Sequence, residues 1–408
     1  MSERQWKRLD AVKRIQSGDL VTSEAAQVLG LSTRQVRRLC RSMREGGEAA
    51  IVHRNAGREP MNRTSKKVRQ QVVKLAKGKY EGFNDTHLTE KLVEEEGMKL
   101  SRATVQRILR GAGVVAVRKH RAAKHRRRRE RKPQEGLMAQ WDGSQHDWLE
   151  SRGPILCLMG AVDDATSELL RGAHFLLQES AAGYLTVLKE IAKEKGLPWS
   201  IYEDRHSSLK RNDAHWTLEE ELKGEQDPTQ VGRALRELGI EEIFALSPQA
   251  KGRVERQWGM LQDRLTSELR LAKAKTIEEA NAVLERVRPQ LNRRFAKPAQ
   301  DPTPAWRKVH AGTDLDRICS LRYEATVGND NAVRIGGRVF DIPPGPKRRS
   351  YAKAKVEVCQ LLDGSWRIYL GDQQIAAPPA EPVHELRTLH RRKRSAASRA
   401  FRKAIKAA

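Results

Sequence analysis

Residues 155–162, ILCLMGAV, contain no charged or amide side chain. A run this short has the length of a strand, and a strand that is apolar at successive positions must be covered on both faces. That requirement predicts a layered α/β unit with helices on each side of a sheet. Just upstream, LMAQWDGS reads as the preceding strand. Within it Asp142 alternates with Leu137, Ala139 and Trp141, which take the opposite face. Aspartate is poorly suited to a strand interior, so its position calls for a reason other than folding.

The pattern continues. LLRGAHFLL predicts a third strand and AAGYLTVLKEIAKEKG an amphipathic helix ending at Gly196. PWSIYED is the fourth strand, TQVGRALRELGI a helix, EEIFAL the fifth strand, and GRVERQWGMLQDRLTSELRLAKA a long helix. The order β-β-β-α-β-α-β-α is that of the RNase H-like fold, in which the first and fourth strands are neighbours. Asp142 and Asp204 would then stand side by side, and a divalent metal would relieve their repulsion. Glu255 opens the last helix beside its apolar stripe of Val254, Trp258, Leu261, Leu265 and Leu269, from where it can reach over the sheet. Asp163 and Asp164 fit the turn VDDAT better. Glu203 should point away from Asp204 by strand alternation.

At 408 residues the chain exceeds what one core usually holds. Its 78 Lys and Arg against 52 Asp and Glu give a formal charge of +26, which suits a polyanionic partner. No run reaches the roughly 18–20 apolar residues of a membrane span, and MSERQWKRLD carries no signal-peptide core. A bacterial cytoplasmic protein facing DNA is expected. Cys40, Cys157, Cys319 and Cys359 have no zinc spacing and are expected to be reduced and buried.

Residues 1–52 read as a helix-turn-helix domain. Ser23 caps a helix carrying Ala25, Ala26, Val28 and Leu29, Gly30 makes the turn, and Ser32 or Thr33 caps a second helix with Val36, Leu39, Cys40 and Met43 inward. Arg34, Gln35, Arg37, Arg38 and Arg41 face outward, where they can reach phosphates and guanine edges. After a linker at 53–63, residues 64–113 form a second such unit, with Ser101 as cap and Arg102, Gln106, Arg107 and Arg110 outward. The basic linker 114–136 includes Arg126, Arg127, Arg128 and Arg129, suited to phosphate backbone. The catalytic core spans 137–297. Beyond a linker at 298–321, a small β-barrel is expected over 322–380, with hairpin turns at Gly336-Gly337 and Asp363-Gly364. A basic tail occupies 381–408.

At QWDGSQHDW, YEDRHS and SPQAKGRVERQWGMLQDRL the chain resembles the DDE transposases with an integrase-type catalytic core, of the ISNCY type found in bacterial insertion sequences. The resemblance implies that Asp142, Asp204 and Glu255 form a catalytic triad binding Mg²⁺, with Mn²⁺ able to substitute. It implies a two-metal polynucleotidyl transfer on double-stranded DNA, both element ends and target, by a homo-oligomer. Lys251 and Arg253, just before Glu255, would contact DNA; His146, Arg205 and His206 would orient ligands or hold phosphate. Asp204 and Glu255 stand 51 positions apart, farther than in the commonest form of the motif. The polar stretch 207–230 supplies the excess. The competing readings are an inactive DNA-binding repressor of transposition and an RNase H-type ribonuclease.

Overall fold

A computed structural model of the chain describes residues 3–52, 63–116, 129–211, 216, 218–245, 252–345 and 349–386. Arg126, Arg127, Arg128, Lys251, most of the 53–63 linker and the tail beyond 386 lie outside the described residues. The chain divides into two compact units, Met1–Gln71 and Val72–Ala408.

The first unit holds α1 (Glu3–Ser17), α2 (Thr22–Leu29) and α3 (Thr33–Gly46), followed by a 3-10 turn, Glu48–Ile51. Its core is Leu9, Val12, Ala25, Ala26, Val36, Cys40 and Ile51. Gly30 closes α2 in the left-handed region at φ +61°, the conformation a glycine reaches without penalty. Ser32 caps α3 in a capping box with Gln35. One local expectation fails. Ser23 lies inside the first turn of α2, because Glu24 accepts the Val21 N–H at 3.1 Å instead. Val28 is 77% exposed, because the helix turns only its alanines inward.

Helix α4 (Lys66–Lys77) crosses the division. The second unit continues with α5 (Asp85–Glu94) and α6 (Arg102–Gly111), the latter capped by Ser101, whose hydroxyl accepts from Thr104 N–H at 3.2 Å. Then come β1 (Met138–His146), β2 (Leu156–Asp163), β3 (His174–Leu176), α7 (Ala181–Glu194), β4 (Ser200–Glu203), α8 (Leu218–Lys223), α9 (Gln230–Glu237), β5 (Glu241–Phe244), α10 (Gly252–Leu271) and α11 (Ile277–Phe295). The five strands order as β3-β2-β1-β4-β5, with β1 antiparallel to β2 and parallel to β4. This is the mixed sheet expected of an RNase H-like core.

Strand β2 is buried along its whole length. Its side chains alternate between two cores. Cys157, Met159 and Ala161 pack with α7 and α9, whereas Leu156, Leu158 and Val162 pack with α10 and α11. The third strand is shorter than LLRGAHFLL suggests: Leu169 makes an isolated bridge to Val162, and regular pairing resumes only at His174.

Past α11 come α12 (Leu315–Ile318), β6 (Leu321–Thr326), β7 (Ala332–Ile335), β8 (Arg338–Asp341), β9 (Lys355–Gln360), β10 (Trp366–Leu370) and β11 (Gln373–Ala376). Among the described residues the strands do not close into the expected β-barrel. One sheet runs β11-β10-β9-β6, and β7-β8 is a separate hairpin turning at Gly336 and Gly337, both at positive φ. Closure would need β6 and β11 to pair with a consistent tilt and stagger. The hairpin instead packs on the open sheet through Phe340 against Trp366, ring centroids 5.0 Å apart.

Candidate active site

Asp142 stands on β1 opposite Gly160 of β2. The β1–β4 pairing ends with Gln140 opposite Tyr202. Carrying that register two residues further sets Asp204, just past β4, level with Asp142. The neighbouring position obeys the same register. Trp141 comes level with Glu203, and its indole Nε1 donates to Glu203 Oε2 at 2.6 Å. Glu203 is buried there, turned away from the aspartates as alternation predicts. Asp142 and Asp204 are both half-buried. Asp142 Oδ2 accepts from Trp258 Nε1 at 3.2 Å, and Asp204 Oδ1 accepts the His206 backbone N–H at 2.9 Å.

Helix α10 lies along the same strand. Trp258 reaches over Gly160, where a Cβ would come within 3.2 Å of its ring. Four residues on, Gln262 Nε2 donates to Ser144 Oγ at 3.2 Å. At the other end Arg253 pairs with Asp164. Glu255 is therefore bracketed between two anchored residues, with its own side chain exposed. Among the described residues, no group of three His, Cys, Asp or Glu side chains is close enough to hold a metal. The structure brings Asp142 and Asp204 level and sets Glu255 on the adjacent helix without drawing the three together.

Sequence reasoning missed Glu179, which precedes α7. Its Oε1 accepts from Tyr184 Oη at 2.5 Å and lies 3.2 Å from His206 Nδ1. Its Oε2 fills the space a Cβ on Gly143 would need, at 2.6 Å. Burial, then the charges of Glu179, Asp142 and Asp204, hold the Tyr184 hydroxyl well above its ordinary pKa. Burial, then Glu179 and Asp142, push the Cys157 thiol up to about 12. The glycine of QWDGS was the available signal: a residue without a side chain beside a strand aspartate implies a close neighbour.

The basic candidates divide. Arg34, Arg37, Arg38 and Arg41 are exposed on α3. Gln35 is exposed too, but its side-chain oxygen caps Ser32 N–H at 3.0 Å. Arg102, Gln106 and Arg107 are exposed on α6. Arg110 does not face outward as expected: it is half-buried, donating to Asp85 at 2.5 Å and to Val114 O at 2.7 Å, because α6 needs a partner on α5 there. Arg129 and Arg253 converge on buried Asp164, the former at 2.5 Å. His146 sits at the far end of β1, its ring 5.4 Å from that of Trp148. Arg205 is exposed beside Asp204. The four cysteines are buried and reduced.

Comparison with known proteins follows this division of the chain. Residues 8–70 match a family described as "Winged helix-turn helix". The chain is 29% identical over 404 residues to the "Transposase for insertion sequence IS1202" of Streptococcus pneumoniae, covering 90% of this chain and 84% of that one. It is 40% identical over 296 residues to "Putative transposase y4bF" of Sinorhizobium fredii, covering 72% of this chain but only 63% of the relative. Among solved structures, the simian T-cell lymphotropic virus intasome in complex with PP2A regulatory subunit B56 gamma shows 16% identity, a TM-score of 0.32, and coverage of 77% of this chain and all of that one. The HTLV-2 integrase catalytic core domain in complex with magnesium shows 16% identity, a TM-score of 0.25, and coverage of 37% and 85%. In sequence the chain is similar to proteins named as transposases in two bacteria, and it spans about two thirds of one and most of the other.

Proposed function

We propose that the protein is a DNA transposase that binds the terminal inverted repeats of an insertion sequence and catalyses strand cleavage and strand transfer. The observation that carries this reading is the level placement of Asp142 on β1 and Asp204 just past β4, with Glu255 on the helix beside them. Asp142, Asp204 and Glu255 would hold Mg²⁺ or Mn²⁺, which when bound supplies Lewis-acid charge at the attacked phosphate. Trp258 N–H orients the Asp142 carboxylate, and the His206 backbone N–H orients that of Asp204. The exposed arginines of α3 and α6 contact element ends, and the basic segments hold phosphate backbone. A homo-oligomer on paired ends, acting on bacterial DNA in the cytoplasm, completes the reading. No described helix is long and apolar enough to cross a membrane.

The alternative is a repressor that binds the same ends without cutting them; the presence of all three acids, Asp142, Asp204 and Glu255, disfavours it. Labelled duplex carrying the terminal repeats, incubated with and without Mg²⁺, decides. Metal-dependent nicking lost in Asp142→Asn, Asp204→Asn and Glu255→Gln, with end binding retained, supports the transposase. Binding without nicking at any metal concentration supports the repressor.

A further inference from the structure

Helix α10 carries Glu255 in its first turn and Glu268 more than three turns later. Glu268 is buried, its side chain 7% exposed. Two side chains from α5 meet it: Lys91 Nζ at 2.8 Å and His87 Nε2 at 2.9 Å from the same oxygen. Along the same seam Arg264 donates to Glu90 at 3.0 Å, Arg294 of α11 donates to Glu94 at 2.8 Å, Asn84 bonds Asp263, and Arg270 bonds the Glu81 carbonyl. The α6 helix is tied to α5 in turn through Arg110 and Asp85. A continuous set of contacts therefore runs from the exposed face of α6, through α5, to the helix that bears Glu255.

The character of this seam matters. An ion pair buried between two elements adds little stability compared with apolar residues of the same volume, because desolvation offsets the attraction. What it does impose is a single relative placement, since a carboxylate buried against an ammonium and an imidazole nitrogen tolerates little sliding. An apolar seam would have held α5 at least as firmly.

We propose that the Glu268–Lys91–His87 seam acts as a ruler: it fixes the distance along DNA between the base pairs contacted by α6 and the phosphodiester presented at the Asp142–Asp204 site. Glu268 is thus a positioning residue for the cut. The proposal rests on the transposase reading for its biological meaning, but its geometry can be measured without catalysis.

The test uses the full chain in two forms. In the first, Glu268→Gln and the apolar pair Lys91→Met with Glu268→Leu are assayed on end-labelled repeat duplex. The apolar pair protects against a variant that merely fails to fold. Both are expected to bind ends as the parent does, to cut at the normal position at least about tenfold more slowly, and to spread their cuts over neighbouring phosphates. In the second, Glu255→Cys carries a tethered iron–EDTA group; the native cysteines are buried, so the tether is selective, and its radical cleavage marks where α10 lies on DNA. A sharp focus that blurs when the seam is altered supports the ruler, even if the parent never cuts by itself and the transposase reading fails. A focus and a cut position that stay sharp in the apolar pair overturn the ruler, as does a loss of end binding in proportion to the loss of cutting.

Discussion

Two pairs of aspartates stand on the same sheet and are held in opposite ways. Asp163 and Asp164, at the end of β2, are sealed from solvent. Asp163 accepts from Gly136 N–H at 2.9 Å, Thr166 N–H at 2.8 Å and Thr166 Oγ1 at 2.9 Å. Asp164 accepts from Gln140 at 2.5 Å, Lys132 N–H at 2.8 Å, Arg129 at 2.5 Å, and Arg253. Asp142 and Asp204 are half-buried and keep a face towards water. A buried carboxylate without donors is costly, so the sealed pair is saturated and serves to bind residues 129–132 and the start of α10 to the sheet. Burial, more than sequence neighbours, separates the sealed pair from the half-buried one.

The largest effect should come from charge removal in the open pair. Asp142→Asn or Asp204→Asn should cost several kcal/mol in transition-state stabilisation, read as loss of strand cleavage. Thermal unfolding should stay where it is or move up slightly as repulsion is relieved. A variant that cut DNA normally, or that unfolded far earlier than the parent, would erase the distinction between the pairs.

The sealed pair should behave in reverse. Asp164→Ala removes the partner of Arg253, which is mostly buried, and of Arg129, whose side chain is 40% exposed; a fully buried pair broken this way costs about 3–5 kcal/mol, and the lower end is expected here. Urea unfolding should show that loss at full length. A change below about 1 kcal/mol would class Asp164 with ordinary surface charges. Between these extremes lies Trp258→Phe, which deletes the hydrogen bond to Asp142 and the far edge of the indole that lies over Gly160. About 1–3 kcal/mol of stability is expected to go, with a larger fall in cleavage than in binding; an equal fall in both would remove Trp258 from the orienting role.

Acid titration gives the smallest and most selective test. Burial tends to raise Asp164, but the Lys132 N–H, Arg129 and Arg253 outweigh it and hold the carboxyl below its usual range. Asp163 is raised by burial despite the Gly136 and Thr166 donors. Stability linked to Asp164 is therefore full above the unfolded carboxylate value of about 3.9 and is lost as pH falls through its lower folded value. Stability linked to Asp163 is full below that unfolded value and is lost as pH rises through its higher folded one. The slopes oppose each other, so Asp164→Asn should lose less stability than the parent as pH drops below about 4. Urea midpoints at stepped pH measure it, and a steeper loss in the variant would reverse the assignment.

Much of this was legible in the chain because it is local or follows from strand parity. The unbroken ILCLMGAV run announced a strand buried on both faces, and Ser32, Ser101 and Gly30 announced helix ends. Asp142 and Glu203 took the faces that alternation assigns. What escaped depends on partners distant in sequence. Arg264 and Glu268 look like the solvent side of an ordinary helix until α5 is laid over them. Glu179 looks like a residue capping a helix until Gly143 comes beneath it. Barrel closure is a hydrogen-bonding relation between β6 and β11, more than forty residues apart, and no turn signal reports it. Arg110 carries the same outward spacing as Arg107, yet Asp85 claims it.

The close approach of Glu179 to Gly143 has a bearing on how such a chain can drift over generations. One oxygen of Glu179 is pinned by Tyr184 and His206, and the other occupies the volume a methyl group at 143 would require. The two positions, 36 apart in the chain, therefore vary as one. A side chain can arise at 143 only after a shorter residue has replaced Glu179, and that replacement would leave the buried Tyr184 hydroxyl in want of an acceptor. Neither change is cheap first, so the pair should persist together in descendants, or be exchanged together, far more often than either is exchanged alone.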